Sequence, residues 1–146
     1  MVNIKSQTMD DVTTTIQNNI AAYAAAAAAE HGDVTLPAIA LYKKGYYDVF
    51  NLFEYPAILV SFDNRERNEM DGFQLLTVDV VLVLKYNDAD ELNKIALVYS
   101  DALYNLLTAE YKLGGKVINT EIIKEDHFAG PDMYLVDYNI QIEREV

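Results

Sequence analysis

The sequence predicts an α+β fold, a four-stranded, mainly antiparallel sheet with two main helices packed on one face, in the order α-β-β-α-β-β. Three observations predict it. Apolar residues recur at helical spacing between Leu92 and Leu107, the runs 57–62 and 73–86 are rich in β-branched residues, and 133–146 alternates apolar with polar. The 146 residues fit one domain over 1–146, and a hydrophobic content of 51% supplies its core.

The first helix is expected to start near Thr8, where Thr8 and Asp11 form a Thr-x-x-acid capping arrangement. Val12, Ile16, Ile20, Tyr23 and Ala27 then make one apolar stripe, and His31-Gly32 makes the stop. The alanine tract Ala24 to Ala29 is explained by helix propensity, the alternative being a close approach of another backbone. Residues 32–56 predict an irregular connection, with one short strand or helical turn in Ala38 to Tyr42 ended by Lys43-Lys44-Gly45.

After Pro56, Ala57 to Phe62 and Phe73 to Tyr86 predict a hairpin. The charged stretch Asp63 to Gly72 between them reads as its tip, too long for a two-residue turn and too polar to bury. Leu92, Ile95, Ala96, Tyr99, Ala102, Leu103, Leu106 and Leu107 predict the second helix, with Asp88 and Asp90 at its start and its end near Leu113. A third strand is expected over Lys116 to Glu125, followed by a turn at Ala129-Gly130-Pro131. The last strand places Tyr134, Val136, Tyr138, Ile140 and Ile142 on one face and Asp137, Asn139, Gln141 and Glu143 on the other. Leu75, Val81 and Val83 share that second face with Asp79 and Lys85, so part of it is expected to be covered.

Eleven Lys and Arg against 23 Asp and Glu give a formal charge of −12, which repels a phosphate backbone and argues against specific nucleic-acid binding. Cysteine is absent, which removes thiolate chemistry and Cys-based zinc sites. The N-terminal residues lack the basic-then-apolar order of a signal peptide. The weakly polar run Ile20 to Ala29 would span roughly 15 Å as a helix, about half a bilayer core, so no membrane segment is expected.

Chemistry has few footholds. His31 and His127 are expected as solvated loop residues, because neither stands at a metal-ligand spacing. Asp63, Asp79 and Lys85 are the candidates for a magnesium-dependent nuclease site, but the Glu-x-Lys pairing such sites use is absent and the net charge opposes DNA capture. No phosphate loop, nucleophile elbow or calcium loop appears. The expectation is a non-enzyme with no cofactor and no metal. Tyr42, Tyr46, Tyr47 and Tyr55 cluster in the connection, where they suit a core edge or an interface.

The N-terminal helix, the entry Phe53-Glu54-Tyr55-Pro56-Ala57-Ile58-Leu59-Val60, the charged hairpin tip, the long strand, the helix Asp90 to Leu107 and two closing strands after Gly114-Gly115 together resemble a phage tail terminator or tail-completion protein. The resemblance spans most of the chain as a pattern of elements. It implies a structural neck protein of the virion, assembled in the host cytoplasm as a homohexameric ring between a tail-tube protein and a head-completion protein. DNA would be passing cargo only. Six copies would carry 6 × −12 = −72 formal charges, a repelling wall around the passage. On this reading Arg65, Glu66, Arg67 and Glu69 order against a neighbouring subunit or the tube, and Asp79, Asp137, Asn139, Gln141 and Glu143 form an outward acidic sheet face. The competing class is a non-viral α+β adaptor of similar topology.

Overall fold

The computed structural model of the chain describes residues 4–68 and 72–145, with the backbone alone at 64–68. In chain order the elements are helix α1 (Ile4–Glu30), strand β1 (Leu41–Lys44), a short 3-10 turn (Val49–Asn51), strands β2 (Ala57–Asn68) and β3 (Phe73–Lys85), helix α2 (Ala89–Ala109) and strands β4 (Asn119–Ala129) and β5 (Met133–Glu145). The sheet has five strands in the order β1-β2-β3-β5-β4, with one parallel pair, β1 with β2. The fifth strand corrects the expected four.

β5 obeys its alternation because a one-residue slip would turn its whole apolar set to the wrong face. Val136, Tyr138, Ile140 and Ile142 are fully buried and Tyr134 half-buried. Burying each aliphatic side chain is worth roughly 1.5–3 kcal/mol before entropy is subtracted. β3 shows the same period, burying Leu76, Val78, Val80, Leu82 and Leu84. These residues, with Ile58 and Val60 of β2, meet both helices in a single core. Tyr138 extends through that core to donate a 2.6 Å hydrogen bond to the Ser100 carbonyl of α2. Burial pushes its phenol pKa well above the usual range.

α2 follows its stripe, and the Asp88 carboxylate caps it by accepting from Asp90 N and Glu91 N at 2.9 and 3.3 Å. It ends at Ala109, short of the expected 113. The chain unwinds there so that Leu113, at φ +48, can tuck its side chain into the core. Turn hydrogen bonds from Gly115, Lys116 and Val117 N to Lys112 O then delay β4 to Asn119. The expected start at Lys116 and end at Glu125 are both early, because pairing with β5 runs on to Ala129 opposite Tyr134.

α1 is already helical at Ile4, so Thr8 is not its cap. The Thr8 hydroxyl instead bonds back to Ile4 O at 2.6 Å, as Thr13 and Thr15 do to Met9 and Asp11. The helix stops after Glu30, and Gly32 takes φ +84. Val12, Ile16, Ile20 and Ala27 are buried as predicted, joined by Ala24, while Tyr23 is half-buried.

β1 contains Lys43 and Lys44, which the sequence reads as a break. Ala40 N bonds Pro56 O at 2.8 Å and sets β1 alongside β2, and lysine is well tolerated on an edge strand. The hairpin tip is also corrected. Arg65, Glu66 and Arg67 lie within β2, opposite Leu76, Leu75 and Gln74, after a register shift between Phe62 and Asn64. Ladder hydrogen bonds are a backbone property, so charged residues can carry the strand outward once a bulge resets the register. Glu69 lies outside the described residues.

The other face of the sheet carries a small second core at one end. Val49, Leu52 and Tyr55 of the connection cover Ala57, Leu59, Val83 and Met133, as the apolar content of β3 led us to expect. The Tyr55 hydroxyl pins this cover by donating to Val49 O at 2.9 Å and accepting from Leu52 N at 3.2 Å.

Candidate functional site

Antiparallel pairing places Ser61, Asp79, Asn139 and Lys124 in one row across four strands of the outer face. The next row, toward the covered end, is Leu59, Val81, Asp137 and Asp126. Of the expected acidic face, the structure therefore brings Asp79, Asp137 and Asn139 together. Gln141 and Glu143 lie farther along, opposite Thr77 and Leu75. All five are half-buried within the pleat.

Asn139 holds the centre. Its Nδ2 donates to Asp79 Oδ1 at 2.9 Å and reaches Asp63 Oδ2 at 3.3 Å. Among the described residues Asp137 has no such donor on its Oδ1, which is shielded from solvent. Burial first, then the charge of Asp79 and a hydrogen bond with it, and then Asp126 and Asp63, push its carboxyl up to about 6. Lys124 lies 3.4 Å from Asp126 at the rim. The grouping of Asp63, Asp126 and Asp137 was missed in the sequence, because it depends on β2 and β4 flanking the β3–β5 pair.

Lys85 does not join this group. It stands six residues from Asp79 along β3, about 20 Å in an extended strand, and its ammonium sits 5.3 Å from the Tyr55 ring centroid. The three nuclease candidates are thus not assembled. Among the described residues no group of three His, Asp or Glu side chains is placed to hold a metal ion.

His31 stands in the turn after α1 and His127 is exposed, as the sequence suggests, but each is held by a partner and His127 lies in a strand instead of a loop. His31 Nε2 lies 2.6 Å from Asp101 Oδ2, tying the end of α1 to α2. His127 belongs to β4, with Nδ1 2.7 Å from the Tyr134 hydroxyl and Nε2 2.7 Å from Glu125. Another missed link joins the chain ends. Arg144 Nη1 lies 2.8 Å from Asp11 Oδ2 as an ion pair and donates to Thr8 Oγ1 at 2.9 Å, with both charged side chains almost wholly enclosed.

Several large apolar side chains are exposed at the periphery. Phe53, in the connection before β2, is 95% exposed and Tyr46, just after β1, 76%, while Ile123 and Phe128 are 54% and 57% exposed on β4. The tyrosine cluster divides: Tyr42 and Tyr55 pack half-buried, as a core edge would, and Tyr46 and Tyr47 point outward. A cleft of about 320 Å³ runs along Ala21, Ala24, Ala25 and Ala28 of α1, facing Val34, Leu36, Ala38 and Tyr99. A second, of about 410 Å³, is lined by Asp11, Thr15, Asn19, Glu110 and Lys116 among others. Among the described residues no helix is long and apolar enough to cross a membrane.

No protein-family model matches the chain, and no curated protein matches it. Among solved structures it is similar to a chain from the virion of native gene transfer agent (GTA) particle, at 11% identity and a TM-score of 0.41 over 84% of this chain and 86% of that one.

Proposed function

We propose that this protein is a structural subunit of a phage-type virion, a tail terminator or tail-completion protein that forms a homohexameric ring at the head–tail junction. The observation that carries the reading is the layering of elements: helix, hairpin, helix and hairpin, with both helices on one face of the sheet. This is the arrangement the resemblance implies. The scattered histidines and the separation of Lys85 from Asp79 favour an assembly role over catalysis. In a ring of six, the net charge of −12 per copy favours transit of DNA over its retention.

The test is a measurement of size and shape. Native mass spectrometry and negative-stain imaging, on the chain alone and with tail tubes, are expected to give sixfold rings capping the tube. A chain that stays monomeric at high concentration in both settings refutes the proposal. Magnesium-dependent DNA cleavage abolished by Asp79→Ala would replace it with the nuclease.

A further inference from the structure

We infer that copies of this chain join head to tail through the two lateral edges of the sheet, β1 of one copy against β4 of the next. The inference rests on the ring reading and names its interface. Among the described residues β1 pairs only with β2, and β4 only with β5, so each edge presents unpaired backbone groups.

The edges are complementary in charge. β1 carries Lys43 and Lys44 and no acid, a formal +2. β4 carries Glu121, Glu125 and Asp126 against Lys124, a formal −2 with His127 neutral. Exposed apolar side chains accompany both, Tyr46 and Tyr47 beside β1 and Ile123 and Phe128 on β4. Within one copy Lys44 is already paired with Asp10 of α1, whereas Lys43 rests 5.7 Å from the Tyr47 ring centroid, so Lys43 is the charge this edge offers a neighbour.

The geometry also selects the kind of contact. Four strand spacings separate the edges by about 19 Å, so each copy has two different contact surfaces on opposite sides. Such a contact is heterologous and closes into a ring when the rotation between copies allows it. β1 offers only four residues, so backbone pairing is short, and the charges set the register while the apolar side chains exclude water. Opposite charge on the two edges also discourages β4 from pairing with β4, where like charges would face one another.

The absence of cysteine gives a clean background for testing this. Lys43→Cys is combined with Glu121→Cys or Glu125→Cys in one chain, and the protein is mildly oxidised with and without tail tubes. A ladder of covalent oligomers ending at the ring size is expected from at least one double variant, and nothing beyond dimers from single variants. Lys43→Glu, or Glu121→Lys with Glu125→Lys, is expected to lose the ring, and all three together in one chain to regain it. Rings of wild-type size from every reversal variant, with no ladder, overturn the interface and leave the ring reading standing. Ladders that stop at dimers mean twofold pairing and also overturn it. A wild type that forms no ring on or off tubes refutes the ring reading and this inference together.

Discussion

Asp137→Asn is expected to stabilise the fold at neutral pH and to do nothing in acid. Asp137 is held at about 6 against an ordinary 3.8, so its charged form is disfavoured by about 3 kcal/mol before screening. Because the side chain is only half-buried, solvent reduces this to about 1 kcal/mol. The sign follows from proton counts. Between about pH 4 and pH 6 the folded state binds more protons at this position than the unfolded chain, so stability falls as pH rises. Above pH 6 the full penalty stands, and below pH 4 both states are neutral and it vanishes. Asparagine keeps the shape, carries no charge and can donate to Asp79 as a protonated Asp137 would. Urea unfolding followed by far-UV circular dichroism, at fixed protein concentration, measures the difference. With a slope of about 2 kcal/mol/M, the midpoint at pH 7 is expected to rise by about 0.5 M and the gain to shrink toward zero by pH 4. A gain equal at pH 4 and pH 7, or a loss at pH 7, refutes the account of the acidic face.

Two further substitutions test links that hold the scaffold. Arg144→Ala leaves the enclosed Asp11 carboxylate without its cation and is expected to cost about 3 kcal/mol in urea unfolding, with Arg144→Lys recovering part of it. No loss would mean that water replaces the guanidinium. Tyr55→Phe removes both hydrogen bonds that pin the connection over the second core, costing about 1 kcal/mol, and is expected to speed amide exchange at Leu52 while leaving the helices unchanged. Unchanged exchange at Leu52 would show that packing alone holds the cover.

The parts of the fold legible in the sequence are those whose signal is local and periodic. β5 and α2 declare themselves because a buried face must recur every second residue or every three to four, and Asp88 marks the start of the helix. β1 is legible only in part: a short strand or helical turn is expected in Ala38 to Tyr42, but the strand runs over Leu41–Lys44, set by a carbonyl at Pro56 that sequence pattern cannot link to it. The charged end of β2 misled for a related reason: side chains suited to a loop do not stop a backbone ladder whose partner strand continues. Of the site, the row Asp79–Asn139 follows once β3 and β5 are known to pair, whereas Asp63 and Asp126 enter only through the strand order. The Arg144–Thr8 hydrogen bond spans 136 positions and leaves no local trace at all.

The distribution of cover over the sheet decides which surfaces are suited to partners. One face is filled by the helices, and the connection closes part of the other over Ala57, Leu59, Val83 and Met133. What remains of that second face holds Asp63, Asp79, Asp126 and Asp137, already close enough to force one carboxyl upward. Pressing another protein onto it would desolvate the rest and deepen a penalty that water now limits, unless cations came with the partner. An assembly of these chains therefore loses least by leaving the acidic patch wet. Under the proposed assembly, contact falls to the edges and to the aromatic connection, where Phe53, Phe50 and Tyr46 expose surface that gains from burial. Asp63, Asp79 and Asp137 therefore lie apart from the proposed edge contact, which takes in Asp126 on β4, so a substitution at any of those three should alter stability and electrostatics while leaving the proposed assembly intact.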